Sequence, residues 1–213
     1  MKINRLLMTA IFSFVGVLAV AQSWMMQPQG PVNEFSAMEG TSVLNYNFQV
    51  ERNIHSRAGN GPVFYIFPDC KLDNNQALEL AGNLDLVNII KEYGGRIMVV
   101  NPSSDKWQEQ DLEDFRRLIG MGGSPTNVKV IGIGSGATFV NRQLAATELT
   151  GVIAGIVSID GEPGKICRLP VPAFIGGKNA AKAAKPYQTT SDSAPSDPLQ
   201  KVVVNTDKKA SLE

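Results

Sequence analysis

The chain has one histidine and two cysteines among its 213 residues, and that scarcity removes several chemistries at once. One imidazole and two thiols far apart in sequence do not make a Cys/His zinc pattern. No G-x-x-x-x-G-K-[S/T] run is present to cradle a nucleotide phosphate, and no cofactor is expected. Lysine plus arginine and aspartate plus glutamate both total 20, for a net charge of 0. Without a basic run, the chain lacks the electrostatic footprint of a nucleic-acid binder. Only one long apolar run occurs, at the amino terminus, so no other segment is a candidate to span a bilayer.

That run defines the first segment. Met1-Lys-Ile-Asn-Arg5 is followed by apolar residues from Leu6 to Val20 and closes on Ala19-Val20-Ala21. A basic start, a short apolar core and an A-x-A site predict a secretory signal peptide over residues 1–21, cut between Ala21 and Gln22. The apolar run is about 15 residues, short of the roughly 20 a spanning helix needs. The chain is therefore expected to be exported, periplasmic or secreted, with no membrane segment after cleavage. The remainder suits one domain. In an oxidising compartment Cys70 and Cys167 make one disulfide available; the alternative is two free thiols.

Residues 22–41 carry Pro, Gly, Gln and Met without periodicity and read as an irregular lead-in. Ser42 to Val50 alternates with period two and predicts a strand. Val63-Phe-Tyr-Ile-Phe67, Arg96-Ile-Met-Val-Val100 and Val128-Lys-Val-Ile-Gly-Ile133 read as buried strands, followed later by Gly151 to Ile159 and Val171 to Ile175. Between them Asn75 to Glu92, Asp111 to Gly120 and Ala137 to Leu149 have helical spacing. Strands alternating with helices predict a doubly wound, mostly parallel α/β sheet over residues 42–180, with sites at the carboxyl ends of the strands. Ala180 to Lys185 is an Ala/Lys stretch suited to a short helix, and residues 181–213 as a whole turn Ser/Thr/Pro-rich and read as a linker or tail leading to a further domain.

Asn127-Val-Lys-Val-Ile-Gly-Ile-Gly-Ser-Gly-Ala137 has the form of a strand entering a nucleophile elbow. With the frame Gly132-Ile133-Gly134-Ser135-Gly136, it resembles the G-x-S-x-G turn of α/β-hydrolases. Taken with Gln76 to Pro102, Asp111 to Ile119 and Gly151 to Gly161, the region from Pro62 to Asn179 resembles the secreted polyhydroxybutyrate-depolymerase and feruloyl-esterase branch of that superfamily. The resemblance implies a minimal or truncated α/β-hydrolase-like fold and an esterase ancestry. It also implies where the catalytic groups should stand, and here this chain departs from the pattern.

The elbow serine falls on Gly134. The His-Gly pair expected after the Val63 strand is Pro68-Asp69, which places Asp69, Cys70 and Ser135 at the oxyanion region. A carboxylate there opposes the charge an oxyanion hole stabilises. The acid expected after Ile175 is absent from Gly176-Gly-Lys-Asn-Ala180, and the only histidine, His55, lies upstream of the elbow rather than downstream of the acid. His55 reads as a surface residue. The expectation is a non-catalytic binding or accessory domain of an esterase. Its ligand would be a polyester, a feruloylated polysaccharide or another carbohydrate, and an active esterase domain would follow.

Two alternatives are carried forward. Ser135 as nucleophile would need a base, for which Lys178 or Lys71 would form a Ser–Lys pair; the plainer reading is that Ser135 opens the helix as an N-cap-like residue. Gly132-Ile-Gly-Ser-Gly-Ala137 also fits the dinucleotide fingerprint G-x-G-x-x-A, with Asp160 as a late ribose acid. That fingerprint normally opens its domain, however, and here other strand–helix units precede it. Asp111, Glu113 and Asp114 read as a solvated helix start. Trp24 and Trp107 are weighed as ligand-stacking platforms, with a packing role expected.

Overall fold

The computed structural model describes residues 26–28, 33–36, 42–50, 62–93, 95–121, 127–149, 151–169, 171–192 and 202–206. The signal-peptide segment, Trp24 and His55 lie outside these residues. Within them the strands are β1 (Met26–Pro28), β2 (Asn33–Ser36), β3 (Ser42–Val50), β4 (Val63–Phe67), β5 (Gly95–Val100), β6 (Val128–Ile133), β7 (Ile153–Ile159), β8 (Ala173–Gly176) and β9 (Val202–Asn205). They form one sheet in the order β1-β3-β5-β4-β6-β7-β8-β9, with β2 also paired to β3. From β5 to β9 every pairing is parallel, while β1, β2 and β5 run antiparallel to β3.

Strands β4 to β8 are largely buried on both faces because helices cover both. In β4, Val63, Tyr65 and Phe67 point to one core with Phe115, Leu118, Phe139, Leu144 and Tyr187. Phe64 and Ile66 point to the other, against Ala77, Ala81, Leu86 and Ile90. The first core lies under α3 (Gln110–Met121), α4 (Ser135–Phe139) and α5 (Ala180–Asp192); the second lies under α1 (Asn74–Asn83) and α2 (Leu86–Tyr93). This is the doubly wound arrangement expected of continuous apolar strands.

Several boundaries differ from the sequence expectation. The helix predicted over Asn75–Glu92 is two helices, because the chain turns at Asp85, whose φ is +57°. The first is opened by a reciprocal cap: Asp73 Oδ1 accepts the Gln76 amide at 2.9 Å, and Gln76 Oε1 accepts the Asp73 amide at 3.0 Å. The lead-in expected to be irregular contributes β1 and β2 to the sheet. The stretch expected as a tail contributes α5, which runs to Asp192, and β9, whose Val202-Val-Val204 pairs in parallel with β8. A short apolar run gains a place in a sheet when a parallel neighbour offers its ladder.

The helix predicted to start at Ala137 begins at Ser135 and widens into a single π turn over Val140–Leu144. Of the three acids at the start of α3, Glu113 is exposed beside Arg116 as expected, while the other two are not solvated. Asp111 and Asp114 are buried, and Asp111 accepts the amides of Ser103 at 2.9 Å and Gln108 at 2.7 Å. Among the described residues no helix is long and apolar enough to cross a membrane.

Candidate functional site

β6 lies in the middle of the parallel strands, and its carboxyl end turns into α4 through Gly134. That residue has φ +56° and ψ −117°, a combination that strains any residue with a Cβ. The turn is fixed by the Gly134 amide, which donates to the Ile159 carbonyl at 2.8 Å at the end of β7. The glycines two positions to either side are required by contact. A Cβ on Gly132 would lie 2.6 Å from the Ala137 Cα, and one on Gly136 would lie 2.5 Å from the Phe67 carbonyl carbon. The strand, the sharp turn and both flanking glycines are those of an elbow that lifts one residue above a sheet.

What the elbow lifts is a glycine covered by a carboxylate. Asp69 follows β4, the strand beside β6, and its Oδ1 accepts the Ser135 amide at 2.6 Å. The Ser135 hydroxyl donates in return to the Asp69 carbonyl. A Cβ on Gly134 would sit 2.6 Å from Asp69 Cγ, and closer still to Oδ1. In an elbow of this type, the amide after the nucleophile position is an oxyanion donor. Here that donor is already taken by an internal anion.

Comparison with solved structures agrees with the topology. The chain superposes on MGS-M1, an alpha/beta hydrolase enzyme from a Medee basin deep-sea metagenome library, with a TM-score of 0.50 at 15% identity, over 70% of this chain and 69% of that one. It superposes on a provisionally assigned carboxylesterase from Lactobacillus plantarum WCFS1 with a TM-score of 0.54 at 13% identity, over 86% and 89%. Est1E from Butyrivibrio proteoclasticus gives a TM-score of 0.51 at 10% identity, over 83% and 88%. The chain has the α/β-hydrolase fold. No protein-family model and no curated protein matches it in sequence.

The turn after β8, where the resemblance implies an acid, carries Gly177 at φ +100° and no carboxylate. It is instead tied to Asp160 at the end of β7, whose Oδ1 accepts the Lys178 amide at 2.9 Å. Asp160 itself sits at φ +57°. From sequence Asp160 reads only as a late ribose acid, since its link to the β8 turn depends on two strand ends meeting. The glycine turn follows two earlier βα units rather than opening the domain, as a dinucleotide fingerprint would.

Glu162 was not singled out from sequence. Its amide donates to Thr138 Oγ1 at 2.9 Å, its carbonyl accepts from Asn141 Nδ2 at 2.9 Å and its Oε1 accepts from Asn179 Nδ2 at 2.9 Å. These bonds strap the loop after β7 onto the elbow helix. Asn141 in turn accepts the Tyr187 hydroxyl at 2.9 Å. Burial drives that hydroxyl's pKa far above the ordinary tyrosine value, and the nearby Cys167 adds to the shift.

Ser135 is exposed, and it is the first residue of α4 rather than its cap. The cap on its amide comes from Asp69, 66 positions away. Its hydroxyl proton is engaged by the Asp69 carbonyl, not by Lys71 or Lys178. Of the two arrangements open for Cys70 and Cys167, a bridge or two free thiols, the structure has the second. Both thiols are free: Cys70 is exposed beside Asp69, while Cys167 is buried with its Sγ 3.4 Å from the Leu169 carbonyl. Trp107 packs rather than offering a platform. It stacks on Phe139 at 4.8 Å, and its Nε1 donates to the Pro68 carbonyl at 2.9 Å. Among the described residues no group of three or more His, Cys, Asp or Glu is placed to hold a metal ion.

Proposed function

We propose that this chain is an exported, non-catalytic domain of the α/β-hydrolase fold, a binding or accessory module of an ester hydrolase. Its sequence resembles the secreted polyhydroxybutyrate-depolymerase and feruloyl-esterase branch of that superfamily. The ligands that fit this reading are a polyester, a feruloylated polysaccharide or another carbohydrate, and the partner is an esterase domain following in the same protein. The basic, apolar and A-x-A pattern of residues 1–21 supports export.

One observation carries the reading. The elbow is kept in its strained geometry, yet the lifted residue is Gly134 and the oxyanion donor, the Ser135 amide, is held by Asp69. Acyl transfer needs a nucleophile with a base in reach and a hole that receives negative charge. A glycine supplies no nucleophile, and a carboxylate in the hole repels the charge that must develop there. The Ser135 alternative meets the same obstacle, since its hydroxyl is spent on the Asp69 carbonyl.

The test is a pair of assays on the full chain. Short-chain p-nitrophenyl esters should not turn over above the buffer rate, while hydroxybutyrate oligomers or feruloylated xylo-oligosaccharides should raise the melting temperature. Turnover that is lost in Ser135→Ala would overturn the reading in favour of an active serine esterase.

A further inference from the structure

We infer that Trp107 and Asn101 are positioning residues for Asp69, holding residues 68–72 as a fixed latch that keeps its carboxylate on the Ser135 amide. The inference deepens, and rests on, the non-catalytic reading above: the elbow is closed by the fold and not only by a missing nucleophile.

The latch has two tie points with Asp69 between them. At one end the Trp107 indole N–H donates to the Pro68 carbonyl at 2.9 Å. At the other, Asn101 makes a two-way bond to Leu72, accepting its amide at 3.0 Å and donating to its carbonyl at 2.8 Å. Asn101 is 2% exposed and stands directly after β5, so this second anchor belongs to the sheet. A paired donor and acceptor on one buried side chain fixes both position and orientation, since moving it would orphan polar groups on each side.

Trp107 grips both halves of the closed elbow. Its ring stacks on Phe139 at 4.8 Å with planes 26° apart, and Phe139 lies in the helix that Ser135 opens. The same ring lies 5.3 Å from Phe67, the last residue of β4. One side chain therefore holds the loop carrying the acceptor and packs on the helix carrying the donor. The segment supporting Trp107 is itself braced by buried Asp111, which accepts the amides of Ser103 and Gln108 on either side of it.

Three strand ends thus converge on one contact: β4 through the latch, β5 through Asn101 and β6 through the elbow. A ligand group seeking the Ser135 amide must displace the Asp69 carboxylate, and the backbone on either side of Asp69 is tied to residues 29 and 39 positions away. The closure is preorganised rather than a loose flap.

Amide hydrogen exchange on the full chain tests this. Trp107→Phe keeps a ring for the stack on Phe139 but removes the N–H that holds Pro68. Asn101→Ser removes the second anchor and serves as an independent variant if the first does not fold. Each should speed exchange at the Ser135 amide roughly tenfold, the scale of one lost hydrogen bond, while the Ile156 amide in the sheet keeps its wild-type rate. Unchanged exchange at Ser135, or acceleration of both amides together, would overturn the positioning role. Ester turnover by the wild-type chain would instead overturn the non-catalytic reading, so the two failures are separable.

Discussion

The Asp69 carboxylate accepts the Ser135 amide at 2.6 Å and fills the space a side chain on Gly134 would need. Residues 69 and 134 therefore constrain each other, and placing a serine at the elbow is a two-residue problem. Gly134→Ser alone should lower stability by about 2–4 kcal/mol, from backbone strain at φ +56° and from the clash with Asp69. Asp69→Gly in the same chain should recover part of that loss. Urea unfolding of the two single variants and the double variant measures the coupling; additive losses would show that the residues do not interact.

The flanking glycines should be intolerant while a helical glycine is not. Gly136→Ala drives a Cβ into the Phe67 and Pro68 backbone, 2.5 Å from the Phe67 carbonyl carbon and the Pro68 oxygen, and should cost more than about 3 kcal/mol. Gly82→Ala, on α1 with nothing within 4 Å of the added carbon, should stabilise by about 0.5–1 kcal/mol. Thermal melts of both variants decide it.

Much of this architecture is legible in the sequence, for a physical reason. Strands buried on both faces must be apolar throughout, so Val63 to Phe67 and Val128 to Ile133 announce themselves, and a sharp turn demands glycines at fixed spacing. Gly134 at the elbow and the Pro68-Asp69 pair after β4 can also be read from the sequence. What cannot be read is anything set by distant partners. Val202 to Asn205 becomes a strand only because β8 offers an edge, and Asp85 breaks a helix that its periodicity would continue. Asp111 is buried because two loop amides meet it, and Trp107 packs because Phe139 lies beneath it.

Phe115 is a sensitive point of the core beneath the site, with its ring 5.1 Å from Tyr65 and 5.0 Å from Phe67. Phe115→Ala should cost about 3–5 kcal/mol. Loss of less than about 1 kcal/mol in denaturant unfolding would mean that the aromatic cluster is not well packed.

Tyr187 should give the fold an alkaline limit. Its folded pKa is raised by burial, so folding favours the protonated hydroxyl; that stability is intact below the unfolded value near 10 and is lost as pH climbs above it. Tyr187→Phe should cost about 1 kcal/mol at neutral pH, for the lost bond to Asn141. It should also flatten the decline of stability above pH 10. An unchanged slope in the variant would assign that decline to other groups.

The thiols offer a direct check on the cysteine arrangement. With Cys70 exposed and Cys167 buried, a thiol reagent should modify Cys70 in the native chain and reach Cys167 only after denaturation. Two thiols unreactive even in denaturant without reductant would mean that they are bridged.

On the proposed reading the elbow retains its shape without its reaction. Incubation of the purified chain with an excess of a fluorophosphonate probe, followed by intact-mass measurement, tests it most directly. An unmodified mass is expected, because Gly134 has no nucleophile and the Ser135 hydroxyl is held by the Asp69 carbonyl. A stoichiometric adduct mapped to Ser135 would contradict it.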